Sequence, residues 1–279
     1  MSETPLLEVE GLDVTFPGRG GAVRAARDVS FTLGRERLAI VGESGSGKST
    51  TGRAILGLIP APGIVSARKL TFDGMDLRRL GEKGWSRLRG KRLAMVMQDP
   101  KYSLNPVQRV GAQIMETYRL HRKTDRRDCA RRALAMLEAV RINDPETVFR
   151  LYPHQLSGGM GQRVMIAMML IGEPDLLIAD EPTSALDVTV QTQVLRILDD
   201  LVAERGMGLI FITHNLTLVS SFCDRALVMY AGRVVEQCDA KRLDQARHPY
   251  TRALVASAPS LDFPRAELMT VKRDPAWLA

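Results

Sequence analysis

Residues 42–50, Gly-Glu-Ser-Gly-Ser-Gly-Lys-Ser-Thr, fit the pattern G-x-x-x-x-G-K-[ST], whose glycines and lysine suit a bound phosphate chain. The glycines let the backbone curve so that successive N–H groups point at an anion. In this pattern the lysine reaches the β- and γ-phosphates of a nucleotide, and the hydroxyl that follows it ligates Mg²⁺. The predicted nucleotide contacts are Gly42, Ser44, Gly45, Gly47, Lys48, Ser49 and Thr50, with Ser49 also on Mg²⁺.

The segments on either side predict the strand and the helix that such a phosphate loop requires. Residues 38–41 are all apolar, as in a buried strand, and residues 49–57 predict a helix that Gly57 and Pro60 close. The positive end of that helix dipole then adds to the field at the anion.

Acidic and imidazole side chains follow two further apolar runs. Residues 176–179 predict a buried strand that ends at Asp180 and Glu181, and residues 209–213 predict another that ends at His214. Because parallel sheets place ligands at the carboxyl ends of their strands, we expect these side chains on the nucleotide side. Asp180 can then reach Mg²⁺, Glu181 can deprotonate an attacking water, and His214 can donate to the γ-phosphate. On its own, His214 would instead suggest a hydrogen-bonded polar group of the core.

A second glycine pair stands before another predicted helix. Ser157, Gly158 and Gly159 precede an apolar helix predicted at residues 161–171, and Ser157 is in an N-cap position. Two glycines before a helix start make a second anion-binding geometry, which is aimed away from the first.

The remaining segments predict an α/β fold with an antiparallel part and a helical part. Apolar and polar residues alternate at 7–16 and at 29–33, which predicts an antiparallel sheet with one solvated face. Strands are also predicted at 69–72, before an Asp-Gly turn, and at 93–97, before Gln98. The period changes to that of helices at 107–152 and 189–205. Phe16, at the end of the first strand, is either a platform for a purine ring or a core residue.

Composition and charge indicate a globular protein but leave the meaning of the charge open. The chain has 279 residues, 45% of them hydrophobic and 25% charged, and it contains no apolar run of the ~18 residues that a membrane span needs. The N-terminus lacks the features of a signal peptide, so we expect the chain to stay in the cytosol. The net charge of +7 indicates either an acidic partner or a solvated Arg-rich surface. The basic run at 121–132 has the same two interpretations, with lipid headgroups as the acidic partner.

The three cysteines, Cys129, Cys223 and Cys238, are widely spaced and show no metal-ligand grouping. They are interpreted as reduced thiols that serve packing.

Over roughly residues 6–258 the chain resembles the ATP-binding subunit of an ABC transporter. The resemblance rests on the phosphate loop, Gln98, the run Leu-Ser-Gly-Gly-Met-Gly-Gln-Arg at 156–163, the acid pair with Ser-Ala-Leu-Asp at 184–187, and His214. It implies a P-loop NTPase core of the RecA-like type in residues 1–258, with an antiparallel β subdomain and an α-helical subdomain inserted at about 100–165. Residues 259–279 would form a short tail. ATP and Mg²⁺ are the implied cofactors, and ATP hydrolysis coupled to transport is the implied activity.

The resemblance also assigns roles to residues whose chemistry is less obvious. Gln98 would be the switch residue that links the nucleotide to a transmembrane partner, with a part in catalysis and in Mg²⁺ binding. Asp187 would bind nucleotide from a loop that faces the opposite subunit. Ser157, Gly158 and Gly159 would complete the nucleotide site of a second subunit docked head to tail.

Three segments narrow the resemblance to the importer branch for dipeptides, oligopeptides and nickel: residues 98–106, 152–160 and 248–251. Such systems usually carry two non-identical ATPases. Met160, which follows the glycines, makes this segment similar to that of the first of the two. Many peptide members continue into a Cys-bearing segment, and its absence here weakens peptide as the cargo, leaving nickel, metal chelates or other small solutes open. Asn215 stands where the family commonly has Asp, and Phe16 replaces the usual Tyr. Neither difference removes a catalytic group.

The implied partners are transmembrane permease subunits, a second, non-identical ATPase subunit and an extracellular solute-binding protein, with no nucleic acid. A homodimer of this chain is the alternative to the second ATPase. The implied location is peripheral, on the cytoplasmic face of the inner membrane. We expect residues 98–113 to dock the permease through Leu104 and Val107, unless these two residues complete the core of the helical lobe.

Two other classes of protein share parts of this pattern. Soluble ABC ATPases of DNA repair, chromosome handling or translation carry long coiled coils, zinc modules or two cassettes, and none of these is evident in the sequence. A nucleotide-binding regulator without turnover would be favoured by the loss of Glu181 or His214, and both are present.

Overall fold

The computed structural model of the chain describes residues 4–18, 20–100, 103–184, 186–257 and Trp277. Lys101, Tyr102 and Ala185, which belong to motifs quoted above, lie outside the described residues. So do residues 1–3, residue 258 and all of the predicted tail except Trp277. The chain forms two compact units, one of Met1–Leu80 with Ile210–Ala279 and the other of Gly81–Leu209.

Strands predominate in the first third of the described chain, four helices follow one another in the middle, and strands and helices then alternate. The strands are β1 (Leu7–Phe16), β2 (Val23–Leu33), β3 (Arg37–Val41), β4 (Ile64–Ser66), β5 (Lys69–Phe72), β6 (Met75–Asp76), β7 (Leu93–Val96), β8 (Leu176–Asp180), β9 (Gly208–Thr213), β10 (Arg225–Tyr230) and β11 (Arg233–Asp239). The α-helices are α1 (Lys48–Ile55), α2 (Glu82–Leu88), α3 (Val110–His121), α4 (Arg126–Ala139), α5 (Pro145–Arg150), α6 (Gly158–Leu170), α7 (Val188–Arg205), α8 (Leu216–Phe222) and α9 (Pro249–Ser257). Short 3₁₀ turns connect several of them.

The first unit contains the antiparallel sheet that the alternation of apolar residues predicts. Its strand order is β2-β1-β5-β6, and β4 also pairs with β1. Leu7 is paired with Leu33 on one side and with Phe72 on the other, and all three side chains are buried. The sheet is therefore held by a row of apolar cross-strand neighbours on its inner face.

The alternation along β1 shifts by one residue in mid-strand. Val9 and Leu12 are both buried, although their spacing is odd, and the pairing with β2 changes register between them. One extra residue in a strand produces this shift, because it returns the following side chains to the opposite face. The bulge lies beside Gly11, whose N–H donates to Ser30 Oγ at 2.9 Å.

A second group of strands in the first unit has the order β11-β10-β3-β9. β3 pairs in parallel with β10, with Val41 opposite Val228, and β11 returns antiparallel to β10. Residues 38–41 of β3 are fully buried, as their apolar run predicts. β10, β11 and the helices α8 and α9 were not predicted from the sequence.

The second unit combines a parallel strand pair with helices. β7 and β8 pair in parallel register, with Val96 opposite Ala179, and every residue of both strands is buried. Helix α6 is apolar on most of its surface and is largely buried, so it serves as a central core element of this unit. Gly208, at the start of β9, donates to the carbonyl of Asp175 at 2.8 Å.

The helical period at 107–152 corresponds to helices α3, α4 and α5, which pack against one another. A Cβ on Gly111 of α3 would come within 2.4 Å of the Phe149 ring of α5, so the two helices approach closely there. The helices fall within the insert predicted at about 100–165, whereas the compact unit that contains them is larger. The boundaries of the subdomain and of the 1–258 domain stay a prediction.

Among the described residues, no helix has both the length and the apolar character that a bilayer crossing requires.

Candidate functional site

The backbone of the phosphate loop follows a path that only glycine fits at two positions. Gly42 has φ +147° and Gly47 has φ +98°. A Cβ would lie 2.2 Å from the carbonyl oxygen of Met229 at Gly42, and 2.1 Å from that of Ala25 at Gly47. Both the conformation and the close approach of neighbouring backbone exclude any side chain at these two positions.

Two strands outside the motif hold the loop in place. Gly232, in the β10–β11 hairpin, donates from its N–H to the carbonyl of Ser46 at 3.0 Å. The carbonyl of Gly232 in turn accepts from the N–H of Arg27 in β2 at 2.8 Å. The hairpin therefore ties the loop to the antiparallel sheet of the same unit.

Lys48 is folded against the loop that it follows. Its ammonium donates to the carbonyl oxygens of Gly42 and Glu43, each at 2.8 Å, and the residue is only 5% exposed. These charge-assisted contacts fix the ammonium at the loop and offset the cost of its burial.

The start of α1 is available to an anion. Gly47 stands at its N-cap and contributes no side-chain cap, and the first turn carries no acidic residue. A helix start of this kind can receive a ligand, and the helix dipole favours a negative one. Ser49 and Thr50, predicted to bind nucleotide, lie half-buried in this turn.

A small cleft of about 80 Å³ lies along the loop, lined by residues 43–46, Tyr230 and Ala231. Ser46 is 4% exposed, and its buried Oγ has no hydrogen-bond partner within the described residues. An unsatisfied buried hydroxyl, an uncapped helix start and a lysine at the loop together fit the phosphate chain of a nucleotide.

His214 stands on the turn between β9 and α8 and is exposed, so the structure does not place it in the core. The residue after it, Asn215, caps α8: its Oδ1 accepts from the N–H groups of Thr217 and Leu218 at 3.1 and 3.3 Å. Asparagine and aspartate are similarly effective N-caps. Asn215 therefore preserves the local structure that an aspartate would give.

Phe16 ends β1 and is half-buried. Its ring lies against Gly63, where a Cβ would come within 2.8 Å of the ring. Both interpretations of Phe16, as a purine platform or a packing residue, stay open in this position.

In the second unit the parallel register brings Gln98 and Glu181 together. Because Val96 is opposite Ala179, each of these residues lies two positions beyond a paired residue. Gln98 Nε2 donates to Glu181 Oε2 at 3.3 Å. Glu181 has φ +46°, a left-handed conformation that is uncommon for a residue other than glycine. Such strain often marks a functional position.

Asp180 is the last residue of β8 and is only 4% exposed. Carboxylate oxygens are ligands that suit Mg²⁺. Ser49, Gln98 and Asp180 as Mg²⁺ ligands stay a prediction.

Ser157 caps α6 as predicted, since its Oγ accepts from the N–H of Met160 at 3.3 Å. The helix begins at Gly158, three residues earlier than predicted, because a helix starts directly after its N-cap. A Cβ on Gly159 would lie 2.6 Å from Val190 of α7, whereas Gly158 is exposed with no atom near its Cβ position. The helix start is therefore packed on one side and open on the other.

Asp187 caps α7, and its Oδ1 accepts from the N–H of Val190 at 3.0 Å. Its predicted contact with nucleotide is a separate role, and it stays a prediction.

The cysteines differ in burial. Cys129, Cys223 and Cys238 are free thiols, and the first two are buried. Burial raises the pKa of Cys223 to about 12 and that of Cys238 to about 11, so both thiols are protonated at neutral pH.

Some residues that contact the phosphate loop carry no signal in the sequence near it. Tyr250, in α9, accepts a hydrogen bond from the Glu43 N–H at 3.0 Å, and Tyr230 lines the cleft. These contacts join residues about two hundred positions apart, so periodicity cannot reveal them. Tyr250 does fall within the segment 248–251 that narrowed the resemblance to the importer branch.

A glycine-rich loop that joins a buried parallel strand to a helix, with an acid pair after another buried strand, defines a P-loop nucleotide-binding protein. The comparisons are more specific. Residues 26–184 match the family model described as ABC transporter. Together with the relatives below, this match shows that the chain belongs to the ABC transporter family.

Two similar relatives are transport ATP-binding proteins. The oligopeptide transport ATP-binding protein OppD of Bacillus subtilis (strain 168) is 48% identical over 270 residues, covering 96% of this chain and 75% of the relative. The dipeptide transport ATP-binding protein DppD of Escherichia coli (strain K12) is 48% identical over 256 residues, covering 91% of this chain and 78% of the relative.

Solved structures of ATP-binding cassettes have the same fold. A dimeric cassette in a post-hydrolysis state with ADP and Pi has a TM-score of 0.75 at 25% identity, covering 84% of this chain and 98% of its own. The cassette cbiO1 of Clostridium perfringens, part of a transporter complex, has a TM-score of 0.73 at 28% identity, covering 87% and 92%. The predicted α/β P-loop fold is confirmed, and the chain is an ATP-binding and ATP-hydrolysing subunit of this family.

We expect Lys48→Ala to abolish Mg-dependent ATP hydrolysis and Glu181→Gln to reduce it strongly while ATP binding is retained. Lys48 neutralises phosphate charge in the ground state and in the transition state alike. A positioned base contributes ~10²–10⁴-fold to the rate of hydrolysis and does not contribute to ATP binding. Phosphate release by the assembled transporter and equilibrium ATP binding measure the two effects.

Glu204→Gln, which changes an exposed glutamate of α7, is the matched control and should leave both measurements unchanged. Near-wild-type turnover of the Glu181→Gln transporter would show that Glu181 is not the base.

Proposed function

We propose that this chain is the ATPase subunit that powers import of oligopeptides or dipeptides through an ABC transporter. The observation that carries the proposal is the 48% identity to a peptide transport ATP-binding protein over 96% of this chain. The similarity favours peptide over nickel and over other small solutes as the cargo. It also favours transport over a role in DNA repair, chromosome handling or translation.

In the proposed site, the phosphate loop binds ATP and Lys48 neutralises its phosphate charge. Mg²⁺, when bound through Ser49, Asp180 and Gln98, supplies further charge neutralisation on the phosphates. Ser46 and the first turn of α1 supply donors that are already oriented. This arrangement supports the proposal because phosphoryl transfer depends mainly on positioning and on stabilisation of charge.

Glu181 acts as the general base for the attacking water in this proposal, and Gln98 orients it. The Gln98 amide donates to Glu181 Oε2, so it orients the carboxylate that accepts the proton in this scheme. Any movement of Gln98 is therefore communicated to the base, which supports its proposed role as the switch residue. His214 donates to the γ-phosphate in the same scheme.

The proposed assembly pairs this chain with a second, non-identical ATPase, with permease subunits and with an extracellular solute-binding protein. The start of α6, with Ser157, Gly158 and Gly159, completes the nucleotide site of the second ATPase, and Asp187 faces that subunit. The dimeric state of a similar cassette supports such pairing. The chain then lies peripherally on the cytoplasmic face of the inner membrane.

A test of the cargo uses cells that depend on this transporter for peptide uptake. Replacement of the gene by its Glu181→Gln form should abolish uptake of a labelled dipeptide or oligopeptide, because import requires turnover. The same cells receive labelled Ni²⁺ in a parallel assay, and Glu204→Gln serves as the control variant. Loss of Ni²⁺ uptake with unchanged peptide uptake would contradict the proposal.

The proposed docking surface for the permease is residues 98–113, and it contains the loop at residues 104–108. Gln113, 6% exposed, holds this loop through three side-chain hydrogen bonds: to the N–H of Asn105 (2.8 Å), the carbonyl of Asn105 (3.0 Å) and the carbonyl of Gln108 (2.9 Å). Leu104 is 5% exposed, so it belongs to the core, and its predicted contact with the permease is wrong. Val107 is 79% exposed on a loop that is well fixed.

We expect Val107→Asp to uncouple ATP hydrolysis from transport while nucleotide binding is unchanged. A buried charge at an apolar contact is costly, so the permease would lose its contact with this loop. Co-purification with the permease and peptide uptake measure the effect. Met75→Asp, at a 41% exposed position of the first unit, is the control. Normal uptake by the Val107→Asp transporter would rule this docking surface out.

The proposal of a second ATPase predicts that this chain alone is largely monomeric and hydrolyses ATP poorly. Half of the charge stabilisation around the γ-phosphate would come from the other subunit. Light scattering on the Glu181→Gln chain with Mg-ATP measures the association. A stable dimer formed by this chain alone would favour the homodimer instead.

A further inference from the structure

The peptide unit between Gly42 and Glu43 is held at both of its polar ends. Its carbonyl, on Gly42, accepts from the Lys48 ammonium at 2.8 Å. Its N–H, on Glu43, donates to the hydroxyl oxygen of Tyr250 at 3.0 Å. One rigid amide plane thus connects a buried tyrosine of α9 to the lysine of the phosphate loop.

We propose that Tyr250 is a positioning residue for ATP: its hydroxyl fixes the orientation of this peptide plane and thereby the place of the Lys48 ammonium. The inference rests on the proposed role of the loop in binding ATP. Tyr250 is not one of the predicted nucleotide contacts, and in this proposal its effect reaches the phosphates through Lys48.

The physical basis is the coupling between the two hydrogen bonds of the same amide. Rotation of the plane that breaks the contact to Tyr250 also turns the Gly42 carbonyl away from Lys48. Donation by the N–H polarises the amide, which makes its carbonyl a stronger acceptor for the ammonium. The hydroxyl of Tyr250 therefore acts on both the direction and the strength of the lysine contact.

The Glu43 carbonyl is a second acceptor for the Lys48 ammonium at 2.8 Å, and the orientation of the Gly42–Glu43 peptide plane sets the first. Gly42 is the residue at which the chain takes its φ of +147°, a conformation that glycine reaches without a side chain to restrict it. The carbonyl of Met229 limits the space on one side of Gly42, and the Tyr250 hydroxyl fixes the plane on the next bond. Lys48 needs a fixed partner there because a flexible ammonium is a poorly oriented charge.

Tyr250 is itself held rigidly. It is fully buried, and its ring lies 4.6 Å from the ring of Tyr230 and 5.4 Å from that of Trp277. Trp277 also lies 5.4 Å from Tyr230, so the three rings form one cluster. Tyr230 ends β10, next to the hairpin that holds Ser46. The cluster thus holds the Tyr250 hydroxyl in place beside the Glu43 N–H.

The test is the affinity of the full chain for Mg-ATP, measured by calorimetry on the wild type and on Tyr250→Phe. Phenylalanine keeps the ring packing and removes only the hydroxyl. We expect ATP to bind about 5- to 10-fold more weakly, which corresponds to the loss of one hydrogen bond. The melting temperature without nucleotide serves to separate this effect from a loss of stability.

Thr251→Val is the matched control on the same helix. Thr251 is also fully buried, and its Oγ1 has no hydrogen-bond partner within the described residues. Removing this hydroxyl should leave ATP affinity unchanged. An equal loss of affinity in both variants would mean that α9 supports the loop only through packing, and would overturn the inference.

A double variant tests the route through Lys48. In a Lys48→Ala background, where weak residual binding is measured at high ATP concentration, Tyr250→Phe should cause no further loss. The same further loss in that background would overturn the route through Lys48. Hydrogen exchange of the Glu43 amide gives a second readout that needs no nucleotide: it should be faster in Tyr250→Phe, and an unchanged rate contradicts the proposal.

The outcomes also separate this inference from the function on which it rests. If the wild-type chain fails to bind Mg-ATP, the proposed function falls and the inference falls with it. If the wild type binds and Tyr250→Phe binds equally well, only the inference is overturned.

Discussion

The contact between the phosphate loop and neighbouring backbone carbonyls is the constraint on which the first unit depends. Gly42 and Gly47 lie so close to the carbonyls of Met229 and Ala25 that no side chain fits. The strands that carry those carbonyls, β10 and β2, must therefore be placed accurately before the loop can form. The apolar cross-strand pairs of the antiparallel sheet and the buried run of β3 secure that placement. The packing of these strands therefore determines the directions in which the N–H groups of the loop point.

In the second unit, the register between β7 and β8 determines the positions of the site residues that follow these strands. The alignment of β7 with β8 is set by two apolar strands that are buried on both faces. Because both faces are packed, a slip of one residue would disturb the packing of every side chain, so this alignment is strongly determined. Gln98 and Glu181 lie at equal distances beyond the aligned residues, and their hydrogen bond is a consequence. The left-handed backbone of Glu181 is then tolerated because the strand before it is fixed.

The sequence predicted those parts of the fold and site whose signals are local. The strands at 7–16 and 69–72 have their predicted bounds, since alternation and turn residues lie within a few positions of each other. Ser157 was recognised as an N-cap, although the helix start was placed too late. The contacts of Tyr250 were missed because they join residues about two hundred positions apart, whereas β10 and β11 form a local hairpin that was not recognised. Leu104 was predicted on a partner surface, with the core of the helical lobe as the alternative, because an apolar residue in a proline-bracketed loop looks the same in sequence whether it is buried or exposed.

The two capping residues that were also predicted to meet nucleotide differ in what they can offer it. Ser157 accepts from the Met160 N–H through its oxygen, so its hydroxyl hydrogen is still able to point toward an anion. Capping and phosphate binding are therefore compatible at this residue. Asp187 caps α7 with a carboxylate, which can only accept and carries a negative charge. It would repel a phosphate, so its predicted part in nucleotide binding is confined to groups that donate, such as sugar hydroxyls or water. The same local structure, a capped helix start, thus leaves a hydrogen-bond donor at Ser157 and only acceptors at Asp187.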